Sequence, residues 1–221
     1  MSLILPIIAV VIGLLIAYFL KANSTSVKLL LSFSGAFLLS ITVFEFIPKV
    51  YGDYHKLIGV FTMLGILLQI FLEFLSRGAE HGHLHHHEDT QRFPVLLFVS
   101  LCIHSLLEGY PLHGNDHLLW GVVIHKVPIA IIIASFLIHS QLSKTKVILF
   151  LLVFAMMTPI GSLIHKYFSF LTEYEIYIEA MVIGVFLHVS TTILFESSKN
   201  HQFNISKVLM IILGVVVAYF L

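Results

Sequence analysis

Apolar runs of about twenty residues, separated by short polar connections, constrain this chain more than any other feature. The runs cover roughly 2–20, 27–48, 56–76, 93–112, 117–139, 145–168, 174–196 and 205–221. Each is long enough to cross a bilayer as a helix, and inside a bilayer the helix satisfies its own backbone polar groups. The sequence therefore predicts an all-α membrane protein: an eight-transmembrane-helix bundle in which residues 1–221 form a single domain. With 58% hydrophobic and 11% charged residues and a mean hydropathy of +1.00, it is too apolar for an ordinary soluble domain. The first run has neither a charged leader nor a small-residue cleavage site, so it is read as a retained span rather than a signal peptide.

Charge placement sets the expected orientation. The first, third, fifth and seventh connections and their flanks hold Lys21, Lys28, Arg77, Arg92, Lys144, Lys146, Lys199 and Lys207, whereas the even ones hold Lys49, Lys56 and Lys166. Basic residues favour the cytoplasmic side, so the odd connections are expected there and both termini outside the cytoplasm. The expected location is a plasma or cytoplasmic membrane. A formal net charge of zero gives no footing for a nucleic-acid partner. The single cysteine, Cys102, excludes a disulfide framework or a cysteine metal cage within one chain. The sequence leaves a homodimer open.

The third connection, residues 77–92, is expected to be cytoplasmic and contains His81, His83, His85, His86 and His87 among Glu80, Glu88 and Asp89. Such a tract reads as a flexible, low-complexity loop that attracts first-row metals. A disordered loop without a role is the plainer reading.

Ionisable residues inside apolar runs are costly, so they need partners and usually mark function. The fourth run carries His104, Ser105, Glu108 and Gly109; the fifth carries His125, Lys126 and Pro128. His104 and Glu108 are one helical turn apart on a single face. An imidazole and a carboxylate so placed can share a divalent cation, and an antiparallel fifth helix could bring His125 to the same depth. The plainer alternative is a hydrogen-bonded pair that joins two helices. Lys126 points about 100° round the helix from His125, with Glu108 as the nearest acid to pair it. Glu45, near the outer end of the second run, is either the first carboxylate an incoming ion meets or a hydrogen-bonded acid at a helix end. Pro128 and Pro159 each remove a helix hydrogen bond and free a carbonyl. His188 either belongs to an ion path or, on the plainer reading, bonds a neighbouring helix; His139, His165 and His201, at run ends, are expected to be satisfied by water.

These residues resemble the ZIP (Zrt/Irt-like) family of divalent metal transporters. His104, Ser105, Glu108 and Gly109 resemble the family's fourth-helix His-Asn/Ser-x-x-Asp/Glu-Gly pattern, and His125 with Pro128 resembles its fifth-helix pattern. The stretch from Met157 to Gly161, around Pro159, is similar to its sixth-helix Pro-x-Gly break. The stretch from Gly184 to His188 resembles its seventh helix. Glu45 and Pro48 fit the end of its second helix, where a histidine is usual three residues before the proline. The resemblance implies metal transport and an elevator-like motion of a bundle that includes the fourth and fifth helices. It also implies two adjacent metals in many members, yet Lys126, Ile129 and Thr158 stand where further ligands would be. One metal position keeps His104, Glu108 and His125; the other keeps Ser105 and faces Lys126.

The expected function is movement of a divalent transition-metal ion into the cytoplasm, with Zn²⁺ as the first candidate and Fe²⁺, Mn²⁺, Co²⁺ and Cd²⁺ also acceptable to imidazole and carboxylate. The chain is not expected to be an enzyme. The alternatives are a non-transporting metal sensor, or degenerate homologue, and a membrane-embedded metal hydrolase. A hydrolase would use His104, Glu108 and His125 to hold a catalytic zinc, but no His-Glu-x-x-His motif is present.

Overall fold

In the computed structural model the described residues are 1–19, 24–52, 55–76, 78, 93–196 and 205–221. The histidine-rich tract with His81, His83, His85, His86 and His87 lies outside them, as does His201. Among the described residues the fold is helical: α1 (Leu5–Phe19), α2 (Ser24–Ile41), α3 (Lys56–Ser76), α4 (Val95–Gly109), α5 (Asp116–Ile138), α6 (Lys144–Tyr167), α7 (Glu175–Glu196) and α8 (Ile205–Tyr219).

Six of these have the length and apolarity to cross a membrane: α2 with its continuation to Tyr51, α3, α4 with its tail to Leu112, α5, α6, and α7 with the turn before it. The apolar helices α1 and α8 have 15 residues each.

Local chemistry explains the breaks. Pro48 cannot donate to the carbonyl four residues back. Just before it the α2 backbone loosens into a π-helical turn, Thr42–Phe46, in which the Ile47 N–H reaches the Thr42 carbonyl. A last α-helical stretch, Ile47–Tyr51, follows. Between α4 and α5 the chain turns through Gly114 at φ 76°, and Asn115 caps α5 by accepting from the Leu118 N–H at 3.1 Å.

The closest helix pairs are α3 on α7, α1 on α5, α2 on α8, and α4 on α6, with α2 also against α5 and α7. Two apolar clusters fill the interior. One includes Leu101, Ile133, Phe150 and Phe154; the other includes Phe37, Leu118, Val122 and Phe186. Along α5 the first cluster begins at Ile129 and the second ends at Val123, so His125 and Lys126 fall at the seam.

Candidate metal centre

Helix α4 supplies the centre of the site. One turn apart, His104 Nε2 and Glu108 Oε2 lie 3.4 Å from each other, with both side chains buried. His104 Nδ1 is 3.1 Å from Gln69 Oε1 on α3. A carbonyl oxygen only accepts, so the imidazole donates Nδ1–H there and turns Nε2 toward Glu108. That is the second-sphere arrangement that orients a metal-ligating imidazole.

Glu108 Oε1 faces the other way. It pairs with Lys126 Nζ from α5 and accepts from Thr158 Oγ1 on α6 at 2.8 Å. Lys126 Nζ also donates to Ser105 Oγ at 3.2 Å and sits 4.7 Å from the centre of the Phe154 ring. Lys126 and Glu108 are 2% and 1% exposed, so each is the other's counter-charge in a site from which water is largely excluded.

Backbone contact delivers Thr158. A Cβ on Gly109 would strike the Thr158 carbonyl oxygen, and one on Gly161 would strike that of Leu106. Glycine at both positions lets α4 and α6 touch backbone to backbone. Pro128 and Pro159 lie inside continuous helices, α5 and α6, and neither ends its helix.

The sequence suggested α4 and α5 as direct antiparallel neighbours. In the fold they make little backbone contact: α4 packs on α6 and α3, and α5 on α1 and α2. The long Lys126 side chain bridges the two helices. His125, directly before it, is 1% exposed. Among the described residues no three His, Cys, Asp or Glu side chains are gathered into a ready metal cage. What is assembled is the pair His104 and Glu108.

The polar interior continues beyond that pair. Glu73, one turn after Gln69 on α3, lies 3.5 Å from His188 Nδ1 on α7, and Thr192 Oγ1 is 3.5 Å from the same nitrogen. Gln69 and Glu73 were missed by the sequence reading, although two polar residues four apart in an apolar run were a usable signal.

At the end of the bundle away from the 77–92 connection, Glu45 sits in the π-helical turn. Its Oε1 lies 2.7 Å from His117 Nδ1 in the first turn of α5, and the two side chains are 41% and 44% exposed. Lys49 reaches Glu179 on α7 at 2.8 Å. His139 is exposed and bonds the Ser135 carbonyl at 2.7 Å. His165 departs from expectation. Its side chain is only 17% exposed, and its buried Nδ1 has no hydrogen-bond partner among the described residues. Tyr110, the 3₁₀ turn Tyr110–Leu112 and His113 enclose it instead of open water.

Comparison with known proteins adds to this geometry. Residues 77–221 match the family model of the ZIP zinc transporters. The matched stretch includes α4 to α8, and so every side chain around Glu108 except Gln69. The chain belongs to the ZIP zinc transporter family, whose members move metal ions across membranes rather than act as enzymes.

Proposed function

We propose that this protein moves a divalent transition-metal ion, Zn²⁺ first among them, across the membrane into the cytoplasm. In this reading the chain crosses eight times, and a single core ion binds at His104, Glu108 and His125. The observation that carries the reading is the 3.4 Å separation of His104 Nε2 and Glu108 Oε2. Two ligands about 2.0–2.1 Å from a tetrahedral ion stand roughly 3.3 Å apart, so this pair already has the spacing of two ligands on one ion. His125 completes three protein ligands, with water in the fourth position; that open, labile coordination lets an ion leave again.

Lys126 stands in the place of a second metal. It holds Glu108 ionised when no ion is bound and repels a second divalent cation from Ser105. An arriving ion takes over Glu108 as counter-charge. Glu45 is the first carboxylate the ion meets, Pro128 and Pro159 free carbonyls beside the path, and Glu73 with His188 continues it toward the cytoplasmic end. There His81, His83, His85, His86 and His87 collect or sense the ion.

The pairing of Lys126 with Glu108 also favours a second reading: a ZIP homologue that binds metal as a sensor without transporting it. One experiment separates the two. Purified protein in liposomes should take up Zn²⁺, and His104→Ala should abolish most of that uptake. Binding without uptake in the unmodified protein favours the sensor, and unchanged uptake in His104→Ala places the site elsewhere.

A further inference from the structure

Away from the core, the connection between α6 and α7 gathers side chains that the transport reading does not use. His165, in the last turn of α6, presents Nε2 to Glu175 Oε1, in the first turn of α7, at 3.9 Å. That is too long for a hydrogen bond. It is about half an ångström wider than the roughly 3.3 Å between two ligands on one tetrahedral ion. The His113 ring lies 5.7 Å from the His165 ring, centre to centre, and Tyr110 packs edge-on against His165 at 5.0 Å.

Charge placement adds to the distances. Glu179 follows Glu175 by one turn, but Lys49 neutralises it at 2.8 Å. Among the described residues, Glu175 is paired with the weakly placed His165. The last turn of α6 also ends in carbonyls whose partial negative charge favours a cation. Water reaches the cluster from the Glu175 side, which is one-third exposed, while His165 is mostly covered; His113 lines an open pocket of ≈ 270 Å³.

We propose that His165 and Glu175 form a second, two-residue metal site at the end of the bundle away from the 77–92 connection; among the described residues no third such side chain joins them. Its ligand is a divalent first-row cation of the zinc class. Imidazole beside carboxylate suits that class, whereas Mg²⁺ and Ca²⁺ prefer all-oxygen sites. Two protein ligands are in place and water completes the coordination, so the site binds more weakly than a closed cage. A bound ion ties the end of α6 to the start of α7 across the 3₁₀ turn Ser169–Tyr174.

The site shares no residue with the core pair, so its test stands apart from transport. Crystals of the full chain are soaked in Zn²⁺ and measured at the zinc absorption edge, alongside His104→Ala, His165→Ala and Glu175→Gln. The expected result is an anomalous peak between His165 and Glu175 in the unmodified protein and in His104→Ala, lost in the other two variants and undisturbed by excess Mg²⁺. Glu175→Gln is close to isosteric and guards against a folding artefact at His165. No peak at this position, a peak that survives both substitutions, or one held by a neighbouring molecule's side chains overturns the assignment.

Discussion

At the scale of single residues, Glu108 is the side chain on which the others converge. It touches His104, Lys126 and Thr158, each from a different direction. Removing one partner of a buried ion pair leaves an uncompensated charge, at a cost of about 3–5 kcal/mol. Lys126→Met keeps much of the bulk but takes away the ammonium. The variant should lose stability of that order without metal and regain more of it from added Zn²⁺ than the unmodified protein does, because the ion no longer has to displace a tethered cation. Thermal unfolding with and without Zn²⁺ measures both effects. A variant that Zn²⁺ stabilises no more than its parent would falsify the role given to Lys126. The pairing itself was legible in the sequence, since a lysine inside an apolar run must find an acid and the helical rotation from His125 points it away from that ligand. Thr158 and Gln69 were not legible as partners. Thr158 comes from α6, 50 residues beyond Glu108, and Gln69 from α3, 35 residues before its partner His104, and no local pattern records which helices will touch.

At the scale of elements, the helix pairs differ in how they touch. In α4 on α6 and in α3 on α7, glycine meets a backbone oxygen: Gly109 meets Thr158, Gly161 meets Leu106, Gly65 meets Met181, and Gly184 meets Thr62. Between α5 and α2, Gly121 meets the flexible end of Leu38 at 3.3 Å and the Ile41 side chain at an ordinary 3.8 Å. Alanine at Gly161 would push a methyl group into the backbone of α4. That overpacking should cost about 1–3 kcal/mol or more and displace Thr158 from Glu108. Alanine at Gly121 should be tolerated, with a change under about 1 kcal/mol, because a leucine terminus can yield. Thermal melts of the two variants give the comparison, and equal losses would refute the distinction between backbone and side-chain contacts. The Pro-x-Gly motif was visible in the sequence as a helix break. Its structural work is different: Pro159 stays inside α6, and it is Gly161 that permits the close approach. His165 was misjudged for a related reason. Position at the end of a run says nothing about the turn from α4 that folds over it.

For the whole molecule, each of the eight apolar runs holds a helix among the described residues. Hydropathy records which residues avoid water, not which helices will meet. A comparable gap separates the His104 and Glu108 pair, readable from a four-residue spacing, from the polar string that extends it. That string passes through Gln69 to Glu73, which lies within one turn of Ser76, the end of α3 and the start of the histidine-rich connection. Along the chain the five histidines follow the place where, in the proposed direction of transport, an ion leaving the core would emerge. They lie outside α3 and α4, the helices that hold His104, Glu108 and Gln69 in register. Collection of ions after passage does not require a part in the passage itself. Deletion of residues 80–89 should thus leave saturating Zn²⁺ uptake into liposomes in place and alter the response at low metal. Uptake measured across a range of Zn²⁺ concentrations, for parent and deletion, tests this directly. If the deletion variant keeps its thermal stability yet takes up no metal at any concentration, the tract belongs to the path, and transport cannot be assigned to the helices alone.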